Sequence, residues 1–458
     1  MRRLPCLAAL LLAAPLGAQP VDDYLGREMA ARKIPGLAWA VAEHGAVTRQ
    51  GALGLADVEN GAPVGERSIF AIASLDKQLT AAGVLRAAEL GKLALDDPIA
   101  QWADVDFPGV TLRHLLAHTS GLPDQVAGTL EGRYFTDYTS DQLLATVRGL
   151  VPVAPPGTRF LYSDAGPFLA QLATERAAGE SWWEFMRREL FAPAGMTTPL
   201  SLAPGALVPG RVLAYTLDAQ GELARDRRLD VEFGPLYDDL GMTVADFARW
   251  LAALDAGRPL SAASVAAMTA PVRLADGAAA GEPFQWSRYG LGVGLDDLLG
   301  RRLVAHSGHS GVGFARFPEL ALSIVVFTNL EHPAGSDPVG LALAIAGLLR
   351  PELDLAALPA LAGDAAELEE LYRGLLSGAP ALDRFAPALA GAVWNDGTGL
   401  AGRAPRWGAL ARFELLRDGE LDGERALLAR ATHERATAYV RFSLDGAGRV
   451  SRLVWWHL

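Results

Sequence analysis

Apolar and polar positions change their period along the chain, and each change predicts an element. Val21 to Lys33 patterns as a helix that Ile34-Pro35 breaks. Leu37 to Glu43 and Val47 to Gly54 read as two strands joined at a His44-Gly45 turn. Ser74 to Leu90 returns to helical spacing, with Leu75, Leu79, Val84, Leu85 and Leu90 apolar and Gly91 as its stop. Thr111 to Ala117 is a shorter helical stretch before a Thr119-Ser120-Gly121 turn. Met242 to Asp246 opens another helix, which reaches about Leu254. Leu303 to Ala305 and Leu322 to Thr328 have strand character again, and the apolar run Val339 to Leu349 reads as a closing helix. Strands at both ends with helices between them predict one α+β unit over residues 21–350.

Past residue 351 the composition shifts to Pro, Leu and Ala. Asp364 with Glu367 three residues on predicts a capped helix, with one apolar stripe of Leu368, Leu371, Tyr372, Leu375 and Leu376. Four strands follow: Ala409 to Leu416, Ala426 to Arg430, Ala436 to Leu444 and Arg449 to His457. Asp445-Gly446 turns between the last two. Residues 355–458 therefore read as a separate small α+β module. It holds no catalytic constellation, so it is expected to be dispensable for any chemical step upstream.

A chain of 458 residues suggests two such bodies rather than one core. Residues 1–18 read as a secretory signal: Arg2 and Arg3, an apolar run, then small Gly17 and Ala18. The expectation is an exported protein, periplasmic or secreted. The only cysteine, Cys6, lies in that leader, so the mature chain has neither disulfides nor a thiol nucleophile. Without Arg2 and Arg3, 39 Lys and Arg face 53 Asp and Glu, a net charge of −14. That balance argues against a nucleic-acid partner. No apolar run of the mature chain is long enough for a membrane span.

Lysine is scarce: Lys33, Lys77 and Lys92 stand against 38 arginines. A retained lysine is informative, because a tuned lysine can give up its proton and an arginine cannot. Lys77 follows Ser74 by three residues, which puts both on one face of a helix start. There the amine can take the hydroxyl proton, and free backbone N–H groups can meet an oxyanion. The bland alternative is a surface lysine on an amphipathic helix. A second element, Phe160-Leu161-Tyr162-Ser163-Asp164, follows Pro155-Pro156-Gly157 on a loop. Tyr162 is either a proton-transfer group or an aromatic packed under that loop. A third, His306-Ser307-Gly308-His309-Ser310-Gly311, lies between strands. It is either a substrate-lining edge or a glycine-rich hairpin.

In that order the three elements resemble the serine β-lactamase-related family of class C β-lactamases, D-alanyl-D-alanine peptidases and family VIII carboxylesterases. The likeness extends through Phe70 to Ala81, Gly91 to Pro98, Thr111 to Leu122, Phe191 to Thr197 and Tyr289 to Gly292. It implies an antiparallel sheet flanked by helices, an all-helical lobe, and an active site between them. It implies Ser74 as the acylated nucleophile, with Lys77 and Tyr162 sharing proton transfer. The backbone N–H groups of Ser74 and His309 would form the oxyanion hole. Asp164, His306, Ser307, Gly308 and His309 would line the substrate, and His118 would support a turn.

Two positions depart from the family pattern. Asp164 stands where Asn is common, and His306 where Lys is common. Both point away from efficient β-lactam hydrolysis and toward an esterase, or a peptidase or amidase for D-amino acids. An α/β-hydrolase is excluded for want of Gly-x-Ser-x-Gly. The eight histidines show no metal-ligand spacing, so neither metal nor cofactor is expected. The expected partner is a small ester, amide or peptide. The alternative is a non-catalytic binding or sensing protein on the same fold.

Overall fold

The protein is described from a computed structural model that covers residues 19–123, 140–202, 206–226, 240–282, 284–332, 335–363, 365–394 and 399–458. The expected leader and Asp364 lie outside the described residues. Helix α1 (Gln19–Arg32) leads into β1 (Gly36–Glu43), β2 (Ala46–Asp57) and the short β3 (Ala62–Pro63). Far along the chain come β4 (Arg288–Tyr289), β5 (Gly294–Leu298), β6 (Arg301–Gly308), β7 (Val312–Phe317) and β8 (Leu322–Thr328). All eight join one antiparallel sheet in the order β3-β2-β1-β8-β7-β6-β5-β4. Leu37 pairs Thr328 and Glu43 pairs Leu322, so the two ends of the unit meet at its centre.

Strand β1 is buried on both faces, which explains its nearly unbroken apolar run. Ala38 and Ala40 face one core with Phe314, Val325 and Phe327. Leu37, Trp39 and Val41 face the other with Ala315, Ile324 and Val326. This is the period-two alternation of a strand applied to two covered faces. Helix α2 (Asp76–Glu89) lies in the first core, with α3 (Leu112–Leu116), α4 (Ala165–Ala178) and α5 (Val244–Asp255). Helix α6 (Pro338–Leu349) closes the second, as its apolar run predicts.

The sequence places Ser74 at the start of a helix. In the structure Ala73–Leu75 is a 3-10 turn, and α2 begins at Asp76. Strand β7 escapes sequence reading because Gly313 and Ala315 dilute its apolar pattern.

In the C-terminal region, helix α7 (Ala366–Leu376) precedes β9 (Leu410–Leu421), β10 (Glu424–His433), β11 (Thr437–Leu444) and β12 (Val450–His457). These form a four-stranded antiparallel meander. One face packs on α7 through Tyr372, Ala438, Val440 and Phe442. Its other face, with Leu416, Leu428, Tyr439, Val454 and Trp456, shares the core of α6 and the main sheet. Arg441 also ion-pairs with Asp296 and donates to the Asp297 carbonyl at 2.8 Å. A chain ending at Pro351 would therefore bare an apolar face, and it is expected to aggregate or melt at lower temperature. Size-exclusion chromatography and a thermal melt check this; a monodisperse product with unchanged Tm would refute it.

Candidate active site

The nucleophile turn is strained and braced. Ala73 has φ of +43°, the left-handed region that a side chain disfavours. The strand before it is held by the Ser310 hydroxyl, which donates to the Ala71 carbonyl at 2.7 Å. Gly308 lies flush against the same turn. A Cβ there would come 2.7 Å from the Ile72 carbonyl oxygen and 3.2 Å from the Ala73 Cβ. Only glycine lets β6 approach the nucleophile this closely. Gly292 does the same at α2, where a Cβ would collide with the Lys77 carbonyl oxygen.

Lys77 is 2% exposed, and its Nζ donates to Ser74 Oγ at 2.9 Å. The same ammonium lies 2.8 Å from Asp164 Oδ1 as an ion pair, and 5.2 Å from the centre of the Tyr162 ring. The turn of α2 brings Ser74 and Lys77 together, as their spacing predicts. The loop before α4 adds Tyr162 and Asp164. Asp164, which the resemblance places along the substrate, has its carboxylate engaged with Lys77. Burial pushes the Tyr162 phenol well above its ordinary value, with Lys77 opposing, so the hydroxyl stays protonated near neutrality.

His118 stacks on Tyr162 with ring centres 4.3 Å apart. Its Nδ1 accepts from the Ser163 N–H at 3.2 Å, which places the ring proton on Nε2. Burial, reinforced by Lys77, lowers its pKa to about 3, so the ring is neutral. His118 thus holds Tyr162 and the turn after α3 (Leu161 N–H donates to the His118 carbonyl at 2.7 Å).

His306 differs from its expected role. It is 3% exposed and both ring nitrogens are engaged inside the protein. Nδ1 lies 2.8 Å from the Ser307 carbonyl, which only accepts, so Nδ1 carries the proton. Nε2 then accepts from the Tyr289 hydroxyl at 2.9 Å. Burial, then Lys77, lowers the His306 pKa to about 3. A neutral, fully bonded imidazole stiffens the wall behind Ser307 and offers no cation to a substrate. Tyr289 is the residue that sequence reasoning passed over. It lies in a family-like stretch, but its partner is 17 residues away on another strand.

His309, inside the third element and directly after Gly308, turns outward, with Nε2 3.1 Å from Glu331. Ligand atoms of Asp226, His309 and Glu331 lie within 4.8 Å of one another. Linear spacing hid this group, because the fold gathers it from three separate segments. Dialysis against EDTA is expected to leave ester hydrolysis intact; a loss restored by zinc would show that the group holds a working metal.

A nucleophile with an amine on its hydroxyl, a buried phenol beside it and a strand edge against its turn can carry out acyl transfer. The family model for Beta-lactamase matches residues 21–348, which is most of the chain. The chain belongs to the beta-lactamase family. Penicillin-binding protein 4* of Bacillus subtilis (strain 168) is 29% identical over 58% of this chain and 61% of its own length. Esterase EstB of Burkholderia gladioli is 33% identical over 40% of this chain and 51% of its own. A D-aminopeptidase of Gluconobacter oxydans (strain 621H) is 26% identical over 60% and 51%. The matches thus span about half to three-fifths of these relatives.

Among solved structures, the octameric penicillin-binding protein homologue from Pyrococcus abyssi has a TM-score of 0.65 at 22% identity. It covers 97% of this chain and 96% of its own. A D-amino acid amidase from Ochrobactrum anthropi SV3 has a TM-score of 0.61 at 23% identity, covering 73% of this chain and 98% of its own. These two likenesses establish the β-lactamase/transpeptidase-like α+β fold expected from the sequence.

Proposed function

We propose that this family member is a serine hydrolase that cleaves ester or amide bonds through an acyl-enzyme on Ser74. The contact that carries the proposal is Lys77 Nζ at 2.9 Å from Ser74 Oγ inside a buried site. In its neutral form Lys77 takes the Ser74 proton, and Oγ attacks the carbonyl carbon. The backbone N–H groups of Ser74 and His309 receive the oxyanion. The Asp164 carboxylate, 2.8 Å from Lys77, steadies the ammonium as it forms. Tyr162, neutral and donating, passes a proton to the leaving group and recovers it from Lys77. Water then releases the acid by the reverse steps. No metal or cofactor enters.

The matched esterase, D-aminopeptidase and amidase support small esters and D-amino-acid amides or peptides as substrates, with Ser307 and Gly308 along one edge. We also infer export, from the leader-like residues 1–18. No helix of the described residues is long and apolar enough to cross a membrane. The proposal is tested by a fluorophosphonate probe on the purified protein: labelling at Ser74, blocked by a turned-over ester, is expected. Absence of labelling alongside absence of ester turnover would leave a non-catalytic binding protein.

The ion pair also sets a pH dependence. A carboxylate 2.8 Å away favours the protonated amine, against the burial of Lys77, which disfavours it. Asp164→Asn removes that charge and is expected to move the acid limb of kcat/KM to lower pH. An unmoved limb would show that Lys77 is not the group that titrates there.

A further inference from the structure

The two oxyanion donors sit on pieces of chain far apart in sequence. Ser74 is on the nucleophile turn, and His309 is on the turn between β6 and β7. Each piece is anchored on its own side. On the nucleophile side Phe70 pairs with Met242, and the Ile72 N–H donates to the Leu240 carbonyl at 2.9 Å. The His309 turn is tied to the end of β8. The Gly311 carbonyl accepts from the Thr328 N–H at 2.9 Å and from the Thr328 hydroxyl at 2.8 Å. The His309 carbonyl accepts from the His332 N–H at 2.9 Å. These bonds hold each donor in its own piece, but they do not run between the pieces.

Ser310 supplies a bond that does. It is 5% exposed, and its hydroxyl donates to the Ala71 carbonyl at 2.7 Å. Ser310 directly follows His309, and Ala71 lies three residues before Ser74. The bond therefore crosses the seam close to both donors in the chain. Gly308, on the other side of His309, sets the closest approach, since even a Cβ there would meet the Ile72 carbonyl oxygen. Contact limits how near the two pieces come, and the Ser310 hydroxyl limits how far they part. The tolerance is narrow. An oxyanion hole needs its donors about 2.7–3.1 Å from the oxyanion, and a displacement of about 1 Å can cost on the order of a hundredfold in rate. The strained φ of +43° at Ala73 adds to the need, because such a turn persists only when its surroundings hold it.

We infer that Ser310 is a positioning residue for acyl transfer: its bond to Ala71 holds the Ser74 and His309 N–H groups at the separation a tetrahedral intermediate requires. The inference rests on the acyl-enzyme reading above and adds a residue outside the proton-transfer group. Each piece keeps its own anchors without the bond, so a variant lacking the hydroxyl should fold.

The test uses the full chain with 4-nitrophenyl butyrate. Active sites are counted by fluorophosphonate labelling carried to completion, so unfolded protein does not enter kcat. Ser310→Ala is expected to lower kcat per labelled site by about tenfold or more, with KM within about threefold of wild type. Affinity for 2,2,2-trifluoroacetophenone, whose adduct on Ser74 carries an oxyanion, should fall by about the same factor as kcat/KM; a merely structural role would not link the two. Ser310→Thr restores the hydroxyl, and a cavity of about 20 Å³ bordered by Ser310, Ala71 and Thr328 has room for the added methyl. It should keep kcat within about threefold of wild type. Ser310→Cys, similar in size but a weak donor, should fall in the same direction as Ser310→Ala and serves if that variant fails to fold. An unchanged kcat per labelled site in the variant that folds, or a Ser310→Thr protein as impaired as Ser310→Ala, overturns the inference. A wild-type protein with neither ester turnover nor labelling would instead overturn the hydrolase reading beneath it.

Discussion

Lys77→Arg is expected to cut kcat for ester hydrolysis by more than tenfold, and Ser74→Ala to abolish both turnover and covalent labelling. Ser74→Ala deletes the attacking oxygen. Loss of a serine nucleophile of this kind costs on the order of 10⁶ in kcat. It leaves Lys77 paired with Asp164, so the fold should survive and a thermal melt should change little. Lys77→Arg keeps the positive charge and the partner but removes the ability to give up a proton near neutrality. A guanidinium must also enter a space where Lys77 is 2% exposed, between Ser74 and Asp164. Retention of more than about a tenth of wild-type kcat, a loss under roughly 1.4 kcal/mol, would show that Lys77 orients Ser74 without moving its proton.

The parts of this site differ in how far the sequence reveals them, and the difference is one of range. Ser74 and Lys77 are three residues apart on one helical turn, so their contact follows from local geometry alone. The strands that pair Leu37 with Thr328 are visible as apolar runs, and every residue of the two but Glu43 is buried. The ion pair of Lys77 with Asp164 spans 87 positions and depends on how α4 packs beside α2; no pattern in the chain encodes it. The same holds for the Tyr289–His306 bond and for the gathering of Asp226, His309 and Glu331. At the C-terminal meander, strand alternation is legible, but both its faces are covered. Sequence alone cannot say that one of them belongs to the catalytic core.

Small neutral esters are expected to be hydrolysed at least about a hundredfold faster than nitrocefin in kcat/KM, a gap of roughly 2.7 kcal/mol in transition-state binding. The reasoning from residue types finds two departures, Asp164 and His306, and the structure changes what each one means. His306 stands where an ammonium would help hold the carboxylate of a β-lactam. Here the ring is buried and neutral, with its pKa lowered to about 3 and both nitrogens bonded to protein. It offers that carboxylate no charge at any pH where the enzyme would work. Asp164 stands where an amide could donate to a substrate carbonyl. An ionised carboxylate only accepts, and this one is already turned to Lys77. Both effects act on binding the anion rather than on attack by Ser74. The deficit should therefore lie mainly in KM for nitrocefin, with acylation still detectable at high concentration. Steady-state kinetics on 4-nitrophenyl butyrate and nitrocefin decide it, and equal values of kcat/KM would refute this account of positions 164 and 306.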